Sequence, residues 1–296
     1  MKKILKISLC FILICAILLT INAVYCTNTI ETKTYSLQTD KINTNIKFVF
    51  ISDLHNKEYG EKNTELVSKI KEQTPDFIAV GGDMVTRTHS DDTVMKELLP
   101  QLAEIAPTYC VLGNHELDLA NQIDFTTDIN GTGAILLDNE SIEFEKDGEK
   151  ILIGGLSDYP YYEFNYPDFD VPERYFWDEF KTDSKNQFSI LLHHQPEYIA
   201  NDLEGTDIDL VMCGHTHGGL VQIPFIGGLI APNQWFFPKY DLGEYQFGNT
   251  KMIISSGLGI SNPIPRINNC AEMTVVTINQ PNTFLAVSTD SLASLQ

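Results

Sequence analysis

The chain has 296 residues, 43% of them hydrophobic, with 40 acidic against 20 basic side chains. That length and apolar share argue against a disordered chain and allow one large α/β domain or two small ones. The net charge is −20, and because the first 26 residues hold three lysines and no acid, the remainder carries −23; with no basic stripe to offset it, such a body repels nucleic acid, and an anionic substrate would need cations supplied at the site.

Residues 1–26 read as a targeting element. Lys2, Lys3 and Lys6 precede an almost unbroken apolar run that reaches Val24. Signal-peptide cores are shorter than this, and about 20 apolar residues suffice to span a bilayer. No A-x-A cleavage site follows, and Tyr25 before Cys26 spoils a lipoprotein box. A retained anchor is therefore expected, with the lysines cytoplasmic and the body outside, or a secreted body if the segment is cut. Cys10 and Cys15 lie in this run, Cys110 and Cys213 end strands, and Cys26 and Cys270 remain, as a pair or as two free thiols.

Residues 27–45 are polar and read as a stalk or a first edge strand. The run Ile46-Lys47-Phe48-Val49-Phe50-Ile51 is a strand, ending in Ser52-Asp53-Leu54-His55. Residues 61–73 have helical spacing, with Leu66 and Ile70 inward. A second strand, Asp76-Phe77-Ile78-Ala79-Val80, ends in Gly81-Gly82-Asp83. A helix over 92–106 and a strand over 108–112 lead to Gly113-Asn114-His115-Glu116. Three successive strands thus end in turns that carry Asp, His or Asn, which is where α/β folds place their ligands.

Residues 117–129 read as one helix and 134–156 as a three-stranded meander. Residues 157–186 are rich in aromatics, either a lid over a site or a surface insertion with a short helix. A strand over 188–192 ends in His193-His194-Gln195-Pro196, and one over 208–212 ends in Cys213-Gly214-His215-Thr216-His217-Gly218-Gly219-Leu220. Neutral histidine is a common metal ligand, and two imidazoles at the mouth of a turn can grip neighbouring ions. Residues 224–245 are apolar and glycine-rich, with Trp235-Phe236-Phe237, and read as a substrate-facing flap. Closing strands fall at 251–255 and 273–278.

The motifs Asp53-x-His55, Gly82-Asp83, Gly113-Asn114-His115-Glu116, His194 and Gly214-His215-Thr216-His217, in this order, resemble the calcineurin-like metallophosphoesterase superfamily across about residues 46–279. The anchor, Ala231-Pro232-Asn233-Gln234 and Arg266-Ile267-Asn268-Asn269 add a likeness to its bacterial, membrane-associated YkuE/YaeI-like group. The resemblance implies an α/β fold, a four-layer α-β-β-α sandwich of two mixed sheets flanked by helices, in a domain over 46–280 followed by a tail over 281–296. It implies one divalent ion held by Asp53, His55 and His217, a second held by Asn114, His194 and His215, Asp83 bridging the two, a bridging hydroxide as nucleophile, and His115 as the catalytic histidine. His194 is preferred to His193 because it stands before x-Pro.

This sequence departs from the family in three places. Thr86 stands where the protein phosphatases carry the Asp that orients the catalytic histidine, Leu220 replaces a Gln, and Ser256 replaces an Arg. The donor set of nitrogen, carboxylate and amide oxygen suits Mn, Fe, Zn or Ni. The expected activity is hydrolysis of a small-molecule or lipid phosphoester, as a phosphodiesterase or phosphatase. The alternatives are a membrane-surface lipid-sugar pyrophosphate hydrolase similar to UDP-2,3-diacylglucosamine hydrolases, and a metal-binding surface protein without catalysis.

Overall fold

The computed structural model describes residues 2–157 and 172–281. A long helix, α1 (Lys2–Asn28), leads into an edge strand, β1 (Ile30–Gln38). The stalk alternative for 27–45 therefore gives way to a strand, parallel to the last one of the fold. Then come β2 (Ile46–Ile51), α2 (Thr64–Glu72), β3 (Phe77–Val80), α3 (Thr93–Ala103), β4 (Thr108–Cys110), α4 (Asn114–Leu119) and α5 (Phe125–Asn130). The single helix expected over 117–129 is two, because Asp124 caps a new start: its carboxylate accepts from the Thr127 N–H at 3.0 Å.

The meander expected over 134–156 is also corrected. Strand β5 (Ile135–Leu136) pairs with β4, whereas β6 (Glu140–Lys146) and β7 (Glu149–Gly155) form a hairpin in the other sheet. The chain changes sheets at Leu137–Asn139, and strand periodicity does not say which sheet receives a strand. After α6 (Pro172–Asp183) come β8 (Phe188–Leu192), α7 (Pro196–Ile199) and β9 (Leu210–Cys213). Two small hairpins follow, from β10 (Gln222–Ile223) with β11 (Gly227–Gly228) and from β12 (Ile230–Ala231) with β13 (Trp235–Phe236). The chain closes with β14 (Gly243–Phe247), β15 (Thr250–Ile254) and β16 (Ala271–Asn279). The flap is thus shorter than expected, since Gly243 onward belongs to a sheet edge where Tyr245 and Phe247 pack on apolar neighbours.

Two six-stranded mixed sheets result, in the orders β1-β16-β2-β3-β4-β5 and β14-β15-β9-β8-β7-β6. Successive side chains of a strand point to opposite faces, so a strand buried on both faces reads as a continuous apolar run. In β2, Phe48 and Phe50 face the other sheet and Val49 and Ile51 face the helices; in β9, Leu210 and Met212 face inward and Val211 and Cys213 outward. Three apolar layers separate helix, sheet, sheet and helix, which is the four-layer sandwich. Phe176, Trp177 and Phe180 of α6 fill the outermost layer, so these aromatics are packing and not a lid. The aromatic cluster expected at 158–164 lies outside the described residues, as does the tail from 282.

Candidate metal centre

The parallel strands β2, β3 and β4 of one sheet and β8 and β9 of the other all end at the same edge of the sandwich. Their tips are sewn together by backbone hydrogen bonds: Asp53 N–H donates to Gly82 O at 2.9 Å, His55 N–H to Asp83 O at 3.0 Å, and Gly214 N–H to His194 O at 3.1 Å. Two further bonds cross between the sheets. The His215 N–H donates to the Asp53 carboxylate at 3.0 and 3.1 Å, and His194 Nδ1 donates to Gly81 O at 2.7 Å. Five of the seven expected ligands, Asp53, His55, Asp83, His215 and His217, have positive φ. Non-glycine residues adopt that backbone rarely and at a cost, and such strain collects where function fixes a side chain.

The side chains converge. Asp83 Oδ2 lies 3.2 Å from His194 Nε2 and 3.8 Å from the Nε2 atoms of both His55 and His115. Asp53 Oδ1 lies 4.0 Å from His55 Nε2 and 3.9 Å from His217 Nε2. Three triads keep their donor atoms within 4.8 Å of one another: Asp53, His55 and His217; His55, Asp83 and His115; Asp83, His194 and His215. Asp83 thus stands among His55, His115, His194 and His215. His193 points elsewhere, with Nδ1 on Leu156 O at 3.2 Å.

The donor set fits divalent ions. His55 Nδ1 sits 3.1 Å from Val85 O, and a carbonyl only accepts, so Nδ1 carries the proton in His55 and in His194 and leaves an Nε2 lone pair facing Asp83. A backbone carbonyl behind the imidazole is the usual support of a metal-ligating histidine. His55 and His217 bring their Nε2 atoms to 3.3 Å, a close approach of two basic nitrogens that a cation relieves. Buried Asn114 Oδ1 has no donor among the described residues. Burial lowers the pKa of His55 to about 4 and that of His217 well below the usual histidine value, the neutral form a ligand needs. For Asp83 burial works upward, but His194, His55 and His115 outweigh it and hold the carboxylate ionised.

A family model for calcineurin-like phosphoesterases matches residues 46–219, which carry every one of these side chains. The chain belongs to the calcineurin-like phosphoesterase family. It is 30% identical to the uncharacterized metallophosphoesterase YkuE of Bacillus subtilis, over 80% of this chain and 80% of that one. It is 26% identical to the uncharacterized protein YpbG of the same organism, over 86% and 89%. It is 24% identical to the phosphodiesterase YaeI of Escherichia coli, over 78% and 82%.

Within this family framework, several side chains that the sequence had given no role shape the site. Glu116 ends the Gly-Asn-His-Glu motif and is fully buried. Its two oxygens accept from the N–H groups of Asp83 at 2.8 Å, Met84 at 2.7 Å, Val85 at 3.1 Å and Gly113 at 2.8 Å. It therefore fixes the turn that presents Asp83, while burial and the Asp83 charge push its own pKa up to about 7. Gly113 is needed there, because a Cβ would meet Asp83 Oδ1 at 2.3 Å. Replacing Glu116 with glutamine puts an amide N–H₂ against backbone donors. The expected loss is about 3 kcal/mol of unfolding free energy, read by denaturant titration, because a buried network then loses an acceptor. An unchanged midpoint contradicts this role for Glu116.

His115 has an orienting partner that its neighbour Thr86 does not provide. The Arg87 backbone N–H donates to His115 Nδ1 at 3.1 Å, which leaves the proton on Nε2, facing Asp83. Burial lowers its pKa to about 4. On the other side of the centre, Asn233 Nδ2 lies 3.2 Å from His215 Nε2 and donates to Gln195 Oε1 at 2.7 Å and Glu197 Oε1 at 3.1 Å. Asn269 Nδ2 donates to His217 O at 2.6 Å, and Arg266 donates to Ser256 O at 2.6 Å and Gly259 O at 2.7 Å. These two lie some fifty residues beyond the last ligand motif, and only the family likeness had pointed to them. A cavity of about 260 Å³, lined by Asp83, Arg87, Asn114, His115, His217 and Pro232 among others, opens over the centre.

Proposed function

We propose that the protein hydrolyses phosphodiesters at a centre of two divalent ions. The convergence of three donor triads on Asp53 and Asp83 carries this reading. Asp53, His55 and His217 would hold one ion and Asn114, His194 and His215 the other, with Asp83 available to both. When bound, the ions neutralise the phosphoryl oxygens and acidify water enough to supply a nucleophile at neutral pH. The chain does the rest. Asp83 stays ionised and His55, His194 and His217 present lone pairs. His115, held by the Arg87 N–H, is a neutral imidazole whose Nε2–H can hydrogen-bond the leaving oxygen as charge develops there. The cavity is large enough for the phosphoryl group and the start of each ester arm, so the rest of the substrate extends outward.

The diesterase assignment draws on the likeness to a protein named a phosphodiesterase. The donor set of nitrogen and oxygen without thiolate favours Mn, Fe, Zn or Ni. The helix α1 has one stretch, Lys3–Asn28, long and apolar enough to cross a bilayer. We assign it as a retained anchor with the catalytic body on the extracytoplasmic side. The disulfide between Cys26 and Cys270 supports that side, since such bonds persist in oxidising compartments.

The full chain in detergent with Mn²⁺ is expected to cleave bis-p-nitrophenyl phosphate, to lose that activity with EDTA and to regain it on adding the metal back. Turnover that survives exhaustive chelation contradicts the reading.

A further inference from the structure

Among the described residues, the flap over residues 221–242 carries the largest set of exposed apolar side chains outside α1. Phe225, Ile226, Trp235, Phe236 and Phe237 are all at least 60% exposed, and Phe225 is fully so. The backbone beneath them is not loose. Leu229 N–H donates to Val221 O at 2.8 Å, Phe237 N–H to Leu229 O at 2.9 Å, and the Asp241 carboxylate accepts from Gly228 N–H at 2.6 Å and Gln222 Nε2 at 3.0 Å. Gly219 presses on Gly228 so closely that a Cβ would meet its Cα at 2.4 Å. Phe225, Trp235 and Phe237 also have positive φ, an uncommon backbone for aromatic residues. A well-tied scaffold thus holds bulky apolar groups out into solvent, which marks an interaction surface.

The position of α1 says what covers them. Its large apolar side chains from Ile4 to Ile21 are each more than half exposed, and the helix meets the body only near its end. There Asn268 N–H donates to Asn22 Oδ1 at 2.8 Å, and Cys26 is bonded to Cys270. The same loop holds the base of the flap: Asn268 Nδ2 donates to Gln222 O at 3.3 Å and Gln222 N–H to Ile267 O at 2.9 Å. At 1.5 Å per residue, residues 3–22 span about 30 Å, the thickness of the hydrocarbon core. The Asn22 contact therefore marks the boundary between hydrocarbon and headgroups, and the flap starts at that level.

We propose that the flap docks into the headgroup region of the bilayer beside α1, through Phe225, Ile226, Trp235, Phe236 and Phe237. Aromatic side chains favour that zone, and apolar faces settle about 5–10 Å into the headgroup and acyl boundary. With a net charge of −20 the protein gains nothing from anionic lipid, so the docking is apolar and operates on zwitterionic bilayers. Because Pro232 of the flap lines the cavity and Asn233 reaches His215, docking sets the metal pocket at the membrane surface, where a lipid phosphoester presents its headgroup. This inference rests on the reading of α1 as an anchor.

The sequence supplies its own probe. It holds two tryptophans, Trp177, buried, and Trp235, 74% exposed. The full chain is reconstituted in phosphatidylcholine vesicles with or without brominated acyl chains, and flotation is measured alongside tryptophan emission, with Trp235→Phe giving the Trp177 background. Expected are co-flotation, a blue-shifted Trp235 component, most of its emission lost to lipids brominated near the headgroup, and little quenching by aqueous iodide. Co-flotation with Trp235 open to iodide and blind to bromine overturns the docking alone. Shielding from both quenchers means that a second copy of the chain covers the patch, and also overturns it. Failure to float overturns the anchor and the docking with it.

Discussion

Replacing Asp83 with asparagine is expected to lower phosphodiester turnover by at least about 10³-fold, or ~4 kcal/mol in the activation barrier. The substitution keeps the shape of the side chain and removes its charge. Three imidazole nitrogens stand 3.2 to 3.8 Å from Asp83 Oδ2, and Oδ1 already accepts the His115 N–H at 2.8 Å. An amide nitrogen at the Oδ2 place points hydrogens at those nitrogens and offers no lone pair for an ion to share. The bound divalent metal is expected to fall from two ions per chain to one or none, by elemental analysis after gel filtration. Because Glu116 and the surrounding backbone bonds are untouched, the fold should hold. A variant with full turnover and two ions removes Asp83 from the bridging position.

The second large effect falls on His115. Its replacement by alanine is expected to cost about 10²–10³-fold in turnover, the usual span for losing a positioned hydrogen-bond donor to developing charge. The metal content should stay at two ions, which separates it from the Asp83 variant. The loss should also depend on the substrate. A p-nitrophenolate leaves with little help, so bis-p-nitrophenyl phosphate should suffer less than an alkyl diester, whose more basic leaving oxygen gains more from the Nε2–H hydrogen bond. Equal losses on both substrates would mean that His115 acts on the phosphoryl group or on the ions instead.

The candidate site was largely legible because the parallel strands of the two mixed sheets deliver their polar residues at one edge. Asp53, Asp83, Asn114, His194, His215 and His217 each follow an apolar run, and runs such as Phe77-Ile78-Ala79-Val80 are buried on both faces. Their grouping in space followed from that edge, together with the likeness to a known family. The supporting residues were less legible. Glu116 acts through four backbone N–H groups that become neighbours only after folding. The partner of His115 is a main-chain amide, which no residue type announces. The same limit explains the misassigned stretch over 134–156: alternation marks β5, β6 and β7 as strands but carries no information on which sheet accepts them. The break between α4 and α5 could have been read from Asp124, three residues before the Thr127 amide that it caps.

Anomalous diffraction from crystals grown with Mn²⁺ shows directly whether these side chains hold two ions with Asp83 between them. Two peaks are expected about 3.5–4 Å apart, one beside Asp53, His55 and His217 and the other beside Asn114, His194 and His215, with the Asp83 carboxylate touching both. One peak, or none, under saturating metal contradicts the two-ion centre.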